Sequence, residues 1–150
     1  METLNISESN EYPLNKLKLD IPNSFKFCGK TCCSLASVFY AMTFEELRDQ
    51  QLVCSSPAQI AKFKARDNDW KSSQKLHWNG VTYDRNSEEY QSFLDDLINA
   101  AVANMTFLSS LNATGDVELT YAELGNDPTQ TPITSDEYCS RLMEIRDNLV

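Results

Sequence analysis

The chain has little of what would place it outside the ordinary globular class. It holds one histidine, four glycines and five prolines in 150 residues, so collagen-like and Pro/Gly-rich disordered chains are excluded. No internal repeat and no low-complexity segment appears. The longest apolar stretch, Leu35 to Met42, is interrupted by Ser37 and is too short to span a bilayer. Positive charge is scarce: 13 Lys and Arg against 22 Asp and Glu leave a net charge of −9. That sign repels phosphate backbones, which argues against general coating of DNA or RNA, while leaving room for one local cationic pocket. With no polybasic run, nothing grips an anionic membrane either. The opening METLNISESNEYP lacks a basic n-region and an apolar h-region, so it does not read as a signal peptide and a cytoplasmic location is expected. The Asn-x-Ser/Thr triplets at Asn5, Asn104 and Asn112 are then coincidental.

Five cysteines are present: Cys28, Cys32, Cys33, Cys54 and Cys139. An odd count without a leader predicts reduced thiols. The spacing Cys28-x3-Cys32-Cys33 matches no zinc pattern and has no second pair, so no metal site is expected. No cofactor motif is complete. Gly29-Lys30-Thr31 resembles the end of a phosphate-binding P-loop, but the glycine required five residues earlier is Ser24. His77 stands beside Trp78 with no nucleophile identifiable, and a packing or surface role is expected. The acidic pairs Glu45-Glu46 and Asp95-Asp96 read first as solvated helix faces.

What is present is a core-forming pattern. At 17.0 kDa with 41% hydrophobic residues, the chain is long enough to bury roughly 70% of its unfolded surface as one domain. Residues 1–12 are polar and read as a flexible segment, with the domain proper at 13–150. Leu17-Leu19-Ile21 and Phe25-Phe27 alternate like short extended pieces, and Gly29 reads as a turn. Ser34 to Arg48 predicts a helix with Leu35, Val38, Phe39 and Met42 on one face. Ser56-Pro57-Ala58-Gln59 predicts a second helix start, capped by Ser56, with Ile60 and Phe63 facing inward and an end near Arg66. Asn79-Gly80 inside residues 76–83 predicts a β-hairpin. A long helix is expected from about Ser87 to Leu111, with Leu94, Leu97, Ile98, Ala101, Met105 and Leu108 on its inner stripe. Pro128 and Pro132 mark a loop over 123–133. Thr134 to Glu137 offers a capping box for a last helix carrying Tyr138, Leu142, Ile145 and Leu149 inward. The predicted class is α+β, mostly α-helical, with a few short strands and a hairpin.

Several segments together resemble the NADAR superfamily of YbiA-like N-glycosidases, named for its association with NAD and ADP-ribose metabolism. Leu14-Asn15 and Phe25-Lys26-Phe27-Cys28-Gly29-Lys30 stand where family members have a Leu-Ser-Asn-like segment, an apolar strand and Gly-Lys. Ala41-Met42-Thr43-Phe44 matches the Ala-Met-Lys-Phe-like box at a helix end with one change. Pro57 to Lys62, Ala65-Arg66 and Asp69-Trp70 follow the next family segment. Asn104, Leu108, Leu111, Ala113-Thr114-Gly115-Asp116 and Leu119 are similar to the late core motif, and Leu142-Met143-Glu144-Ile145-Arg146-Asp147-Asn148-Leu149 to the closing helix. The resemblance runs with gaps from about Leu14 to Leu149. It implies a compact, mostly helical domain, found in bacteria and their phages, that cleaves N-glycosidic bonds or removes ADP-ribose from guanine.

The departures bear on chemistry. The family's Glu-His pair falls on Ala36 and Ser37. A carboxylate there would stabilise positive charge developing on the ribose, which alanine cannot do. The Trp-Gly-x-Gly after the family's Asp is absent, since Asn126-Asp127 runs into Pro128-Thr129-Gln130, and Cys139 replaces a glycine. Residues 71–90 resemble an insertion. By the resemblance, Lys30, Arg66, Trp70 and Asn104 are the ligand-binding candidates, the two cations for phosphate and Trp70 for stacking. Asp127, Glu45 and Glu46 are the carboxylates left as catalytic candidates. The expectation is a diverged member that binds an ADP-ribose or nucleotide-like small molecule with glycosidase activity weak or lost. The alternative is a non-enzymatic acidic protein that occupies a basic protein partner.

Overall fold

The computed structural model describes residues 2–149. Three two-stranded ladders and seven helices are present among them. Strand β1 (Thr3–Asn5) pairs in parallel with β6 (Glu118–Thr120), and two 3-10 turns follow at Ile6–Glu8 and Leu14–Leu17. Strands β2 (Phe25–Phe27) and β3 (Lys30–Cys32) form one hairpin, and β4 (Lys75–Trp78) and β5 (Val81–Asp84) another. The helices are α1 (Leu35–Ala41), α2 (Leu47–Cys54), α3 (Ala58–Lys64), α4 (Trp70–Ser73), α5 (Glu88–Ala101), α6 (Met105–Ala113) and α7 (Ser135–Asp147). The class is the expected one, α+β with helices dominant. The Asn79-Gly80 hairpin is where the sequence places it, with φ of 54° and 85° at its two turn residues.

The core is built around α1 and α5. Val38, Ala41 and Met42 are fully buried, as are Leu94 and Leu97. Both hairpins lean on α5 through aromatic rings. Phe27 stacks on Trp78 at 5.6 Å, and Phe93 meets Phe27 at 5.7 Å and Trp78 at 6.3 Å. Behind them, Arg85 is 1% exposed and forms a two-pronged pair with Glu137 of α7 at 2.6 and 3.2 Å. Its Nε also donates to the Thr131 carbonyl, which pins the 123–133 loop to the end of the second hairpin. All five cysteines are free thiols, with Cys32, Cys54 and Cys139 buried.

Several expectations are corrected. The start of the chain is packed rather than loose, because Ile6 is fully buried and the Asn5 side chain accepts hydrogen bonds from the amides of Ser7 and Ala122. The helix expected over residues 34–48 stops at Ala41. The Met42 carbonyl accepts from the His77 amide and the Phe44 carbonyl from Gln50 Nε2, so neither is free to continue the ladder. The helix expected over residues 87–111 is two helices. Asn104 caps α6 through the amides of Thr106 and Phe107, and Met105, beyond the break, is 73% exposed. On α3 the inward residues are Ala61 and Ala65, while Ile60 and Phe63 are 48% and 61% exposed. Two small residues four apart let α3 lie close on α1, and that rotation turns the larger side chains out. Ser56 does not cap this helix, because its hydroxyl donates back to the Leu52 carbonyl. The Thr134–Glu137 capping box forms as read. Tyr138 and Leu142 face the core, Ile145 is half-buried, and Leu149 is at the surface.

Candidate functional site

Helix α1 puts one side of itself against an open cleft. Ser34 starts the helix by accepting from the Ser37 amide, and the helical period then sends Ala36, Phe39, Tyr40 and Thr43 toward one cleft. The inner half is a cavity of about 260 Å³. Its walls include Leu19, Phe39, Ala65, Trp70 and Leu124, and the 131–133 stretch closes it. An outer half of about 360 Å³ shares Leu19, Ala36, Tyr40 and Leu124 and adds Lys18, Asp20, Gln59, Lys62 and Glu123. Ala36, where the resemblance places an acid, therefore lines both halves.

The polar groups of the inner half are few and mostly committed. Thr43 Oγ1 donates to the Tyr40 carbonyl at 2.7 Å and accepts from Asn68 Nδ2 at 2.9 Å. Thr131 Oγ1 donates to the Ile133 carbonyl. Burial, with the carboxylates of Asp20 and Glu123 nearby, pushes the Tyr40 phenol above its ordinary value, so it stays a proton donor at neutral pH. Ser37, where the resemblance places a histidine, faces away into the core. Its hydroxyl lies 2.8 Å from that of Ser34 and donates to the Ser56 carbonyl at 2.6 Å.

Of the ligand-binding and catalytic candidates named from the sequence, only Trp70 lines this cleft. It opens the short helix α4, whose N-cap is Asp69. Lys30 follows the turn of the first hairpin, with Cys28 and Gly29 at φ 52° and 77°. Its ammonium donates to Asn79 Oδ1 at 2.8 Å and sits 5.4 Å from the Trp78 ring centre, tying the two hairpins together. The Arg66 guanidinium sits over Phe63, 3.8 Å from the ring centre, and donates to the Phe63 carbonyl. Asn104 is the α6 cap and also donates to the Ser24 carbonyl. Asp127 is exposed. Its carboxylate accepts from the hydroxyl and amide of Thr129, which hold it below the usual carboxylate range. Glu45 and Glu46 are exposed at the start of α2, and Glu45 lies 3.9 Å from His77 Nε2. His77 Nδ1 pairs with Thr82 Oγ1 across the second hairpin at 2.9 Å, the packing role expected of it. The structure thus gathers none of the three acid candidates beside Ala36.

Sequence reasoning missed Tyr40, Asn68, Lys18 and Lys62 as cleft residues, and Asp20 and Glu123 as the carboxylates at its mouth. Tyr40 was legible, since it lies four residues beyond Ala36 on the same helix face. The others come from separate loops and helix α3, and no spacing links them.

The NMR structure of the E. coli protein YbiA superposes on this chain with a TM-score of 0.64. The match spans 99% of this chain and 84% of that one, at 20% identity. At that identity the likeness is one of fold, and it is the fold expected from the NADAR resemblance. No curated protein matches the sequence. A family model described as bacteriophage protein GP30.3 matches residues 11–147, taking in both hairpins, every helix and all the cleft residues named above, and so the chain belongs to the bacteriophage GP30.3 family.

Proposed function

We propose that this chain binds an ADP-ribose or nucleotide-like small molecule in the cleft along α1, and that its N-glycosidase chemistry is weak or lost. One observation carries the reading. The cleft persists beneath Ala36, while its inner wall contains no carboxylate and no imidazole. Cleavage of an N-glycosidic bond builds positive charge on the ribose, and a fixed acid beside it is what speeds the step. Loss of one such electrostatic group typically costs about 10²–10³ in rate. Asp20 and Glu123 line only the outer half, which Ala36 shares, and leave the inner half without an acid. Trp70 and Tyr40 supply flat surfaces for stacking, as ligand binding without turnover requires.

Thermal unfolding in the presence of ADP-ribose, NAD and ribose 5-phosphate tests the proposal. A ligand at about 100 times its dissociation constant adds about 2.7 kcal/mol to the native state, which raises the melting temperature measurably. The expected result is such a rise with at least one ligand, abolished by Trp70→Ala, together with no release of base from ADP-ribosylated guanine above background. No rise with any ligand, or turnover at ordinary enzyme rates, would contradict it.

A second reading is favoured by the placement of charge. Arg85 is buried against the Glu137 carboxylate, while Arg146 is buried with no carboxylate partner among the described residues, so the surface keeps the acidic excess of the −9 chain. An acidic surface of that kind fits a basic protein partner. Affinity capture that returns no stoichiometric basic protein would remove this reading.

A further inference from the structure

The two halves of the cleft differ in chemistry, and that difference selects the ligand. This inference rests on the binding function proposed above and narrows it. None of the residues lining the inner half is Asp, Glu, Lys, Arg or His. The outer half carries Lys18 and Lys62 against Asp20 and Glu123, so its formal charge cancels. Lys30 and Arg66, the cations that could have gripped a pyrophosphate, line neither half. A phosphate seated in the inner half would leave water without gaining a cationic partner, and in the outer half it would meet the Asp20 and Glu123 carboxylates beside the two lysines, all against the field of a chain of net charge −9.

The inner half offers something else. The Thr43 hydroxyl gives its only proton to the Tyr40 carbonyl, so it can only accept from Asn68. This fixes the Asn68 amide with its NH₂ group toward Thr43. Among the described residues Asn68 Oδ1 then has no protein donor, and Asn68 is one of the residues lining the cavity. The Tyr40 hydroxyl, on a ring that lines both halves, is likewise without a protein partner among the described residues. One fixed acceptor and one donor, with the Trp70 and Phe39 rings among the apolar walls, suit a flat heterocycle with amide-like edges. A cavity of about 260 Å³ is smaller than the 300–1,000 Å³ typical of drug-sized ligands and matches a base or a nucleoside.

We infer that the inner cleft recognises an uncharged nucleobase or nucleoside, that Asn68 and Trp70 set this specificity, and that phosphate adds nothing to affinity. Calorimetric titration of the full chain with guanosine, adenosine, their 5′-monophosphates and ADP-ribose tests this directly. At least one nucleoside should bind as tightly as its own monophosphate and ADP-ribose, within about threefold. Its affinity should also change less than about twofold between about 0.05 and 0.5 M salt. Asn68→Ala and Trp70→Ala, both at partly exposed positions, should each weaken that nucleoside about tenfold or more while the far-ultraviolet circular dichroism stays unchanged. A monophosphate or ADP-ribose binding tighter than every nucleoside by more than that threefold margin would overturn the inference and leave the binding function standing. Binding by none of these compounds would overturn both.

Discussion

The Asn104 side chain makes three hydrogen bonds, and each belongs to the fold. Its Oδ1 accepts from the amides of Thr106 and Phe107, and its Nδ2 donates to the Ser24 carbonyl. Asn104→Ala should lower stability by about 1–2 kcal/mol in urea unfolding and leave ligand affinity unchanged. Loss of binding without loss of stability would instead give Asn104 a role at the ligand. Glu137 is the other residue whose role the structure decides. Burial alone would raise its pKa, but hydrogen bonds from Arg85, Gln91 and the Thr134 amide, with the Arg85 charge, outweigh burial and hold it below the usual range. A carboxyl depressed in the folded state contributes stability above its unfolded value. That contribution is lost as pH falls below about 4.5 and through the lower folded value. Unfolding free energy should therefore fall with acidification in this window, and Glu137→Gln should flatten the dependence. Glu137→Ala leaves Arg85 buried without its counter-charge and should cost about 3 kcal/mol or more near neutral pH.

At the scale of elements, the sequence was most informative where one short signal decides the backbone. Asn79-Gly80 forces a hairpin because both turn residues need positive φ, and the Thr134–Glu137 box forms because its two hydrogen bonds are local. Gly80→Ala at φ 85° should cost about 1 kcal/mol in denaturant unfolding, and a neutral result would mean the turn relaxes to another type. Legibility failed where distant groups settled the outcome. Helix α1 ends because His77 and Gln50 claim carbonyls that a continued helix would use, and those partners lie on other elements. The face of α3 was misread because packing against α1 selects Ala61 and Ala65, whereas hydrophobicity alone selects Ile60 and Phe63. The cleft was half legible for the same reason. Ala36 and Trp70 stand on family motifs, but Asn68, Lys18 and Glu123 reach the cleft through tertiary structure only.

For the whole molecule, the second hairpin is part of the core rather than an appendage. Trp78 is 2% exposed and packed between Phe27 and Phe93. It faces the aromatic cluster, while Trp70 faces the cleft. The two tryptophans of the chain thus report separately on the core and on the site. Indole N–H resonances followed by NMR during titration with ADP-ribose and with guanosine give the most direct test of binding in the α1 cleft. The account predicts that the Trp70 indole signal shifts and saturates with at least one of them while the Trp78 signal stays in place. A ligand that binds and moves Trp78, or neither indole, would contradict it, as would the absence of any shift at millimolar ligand.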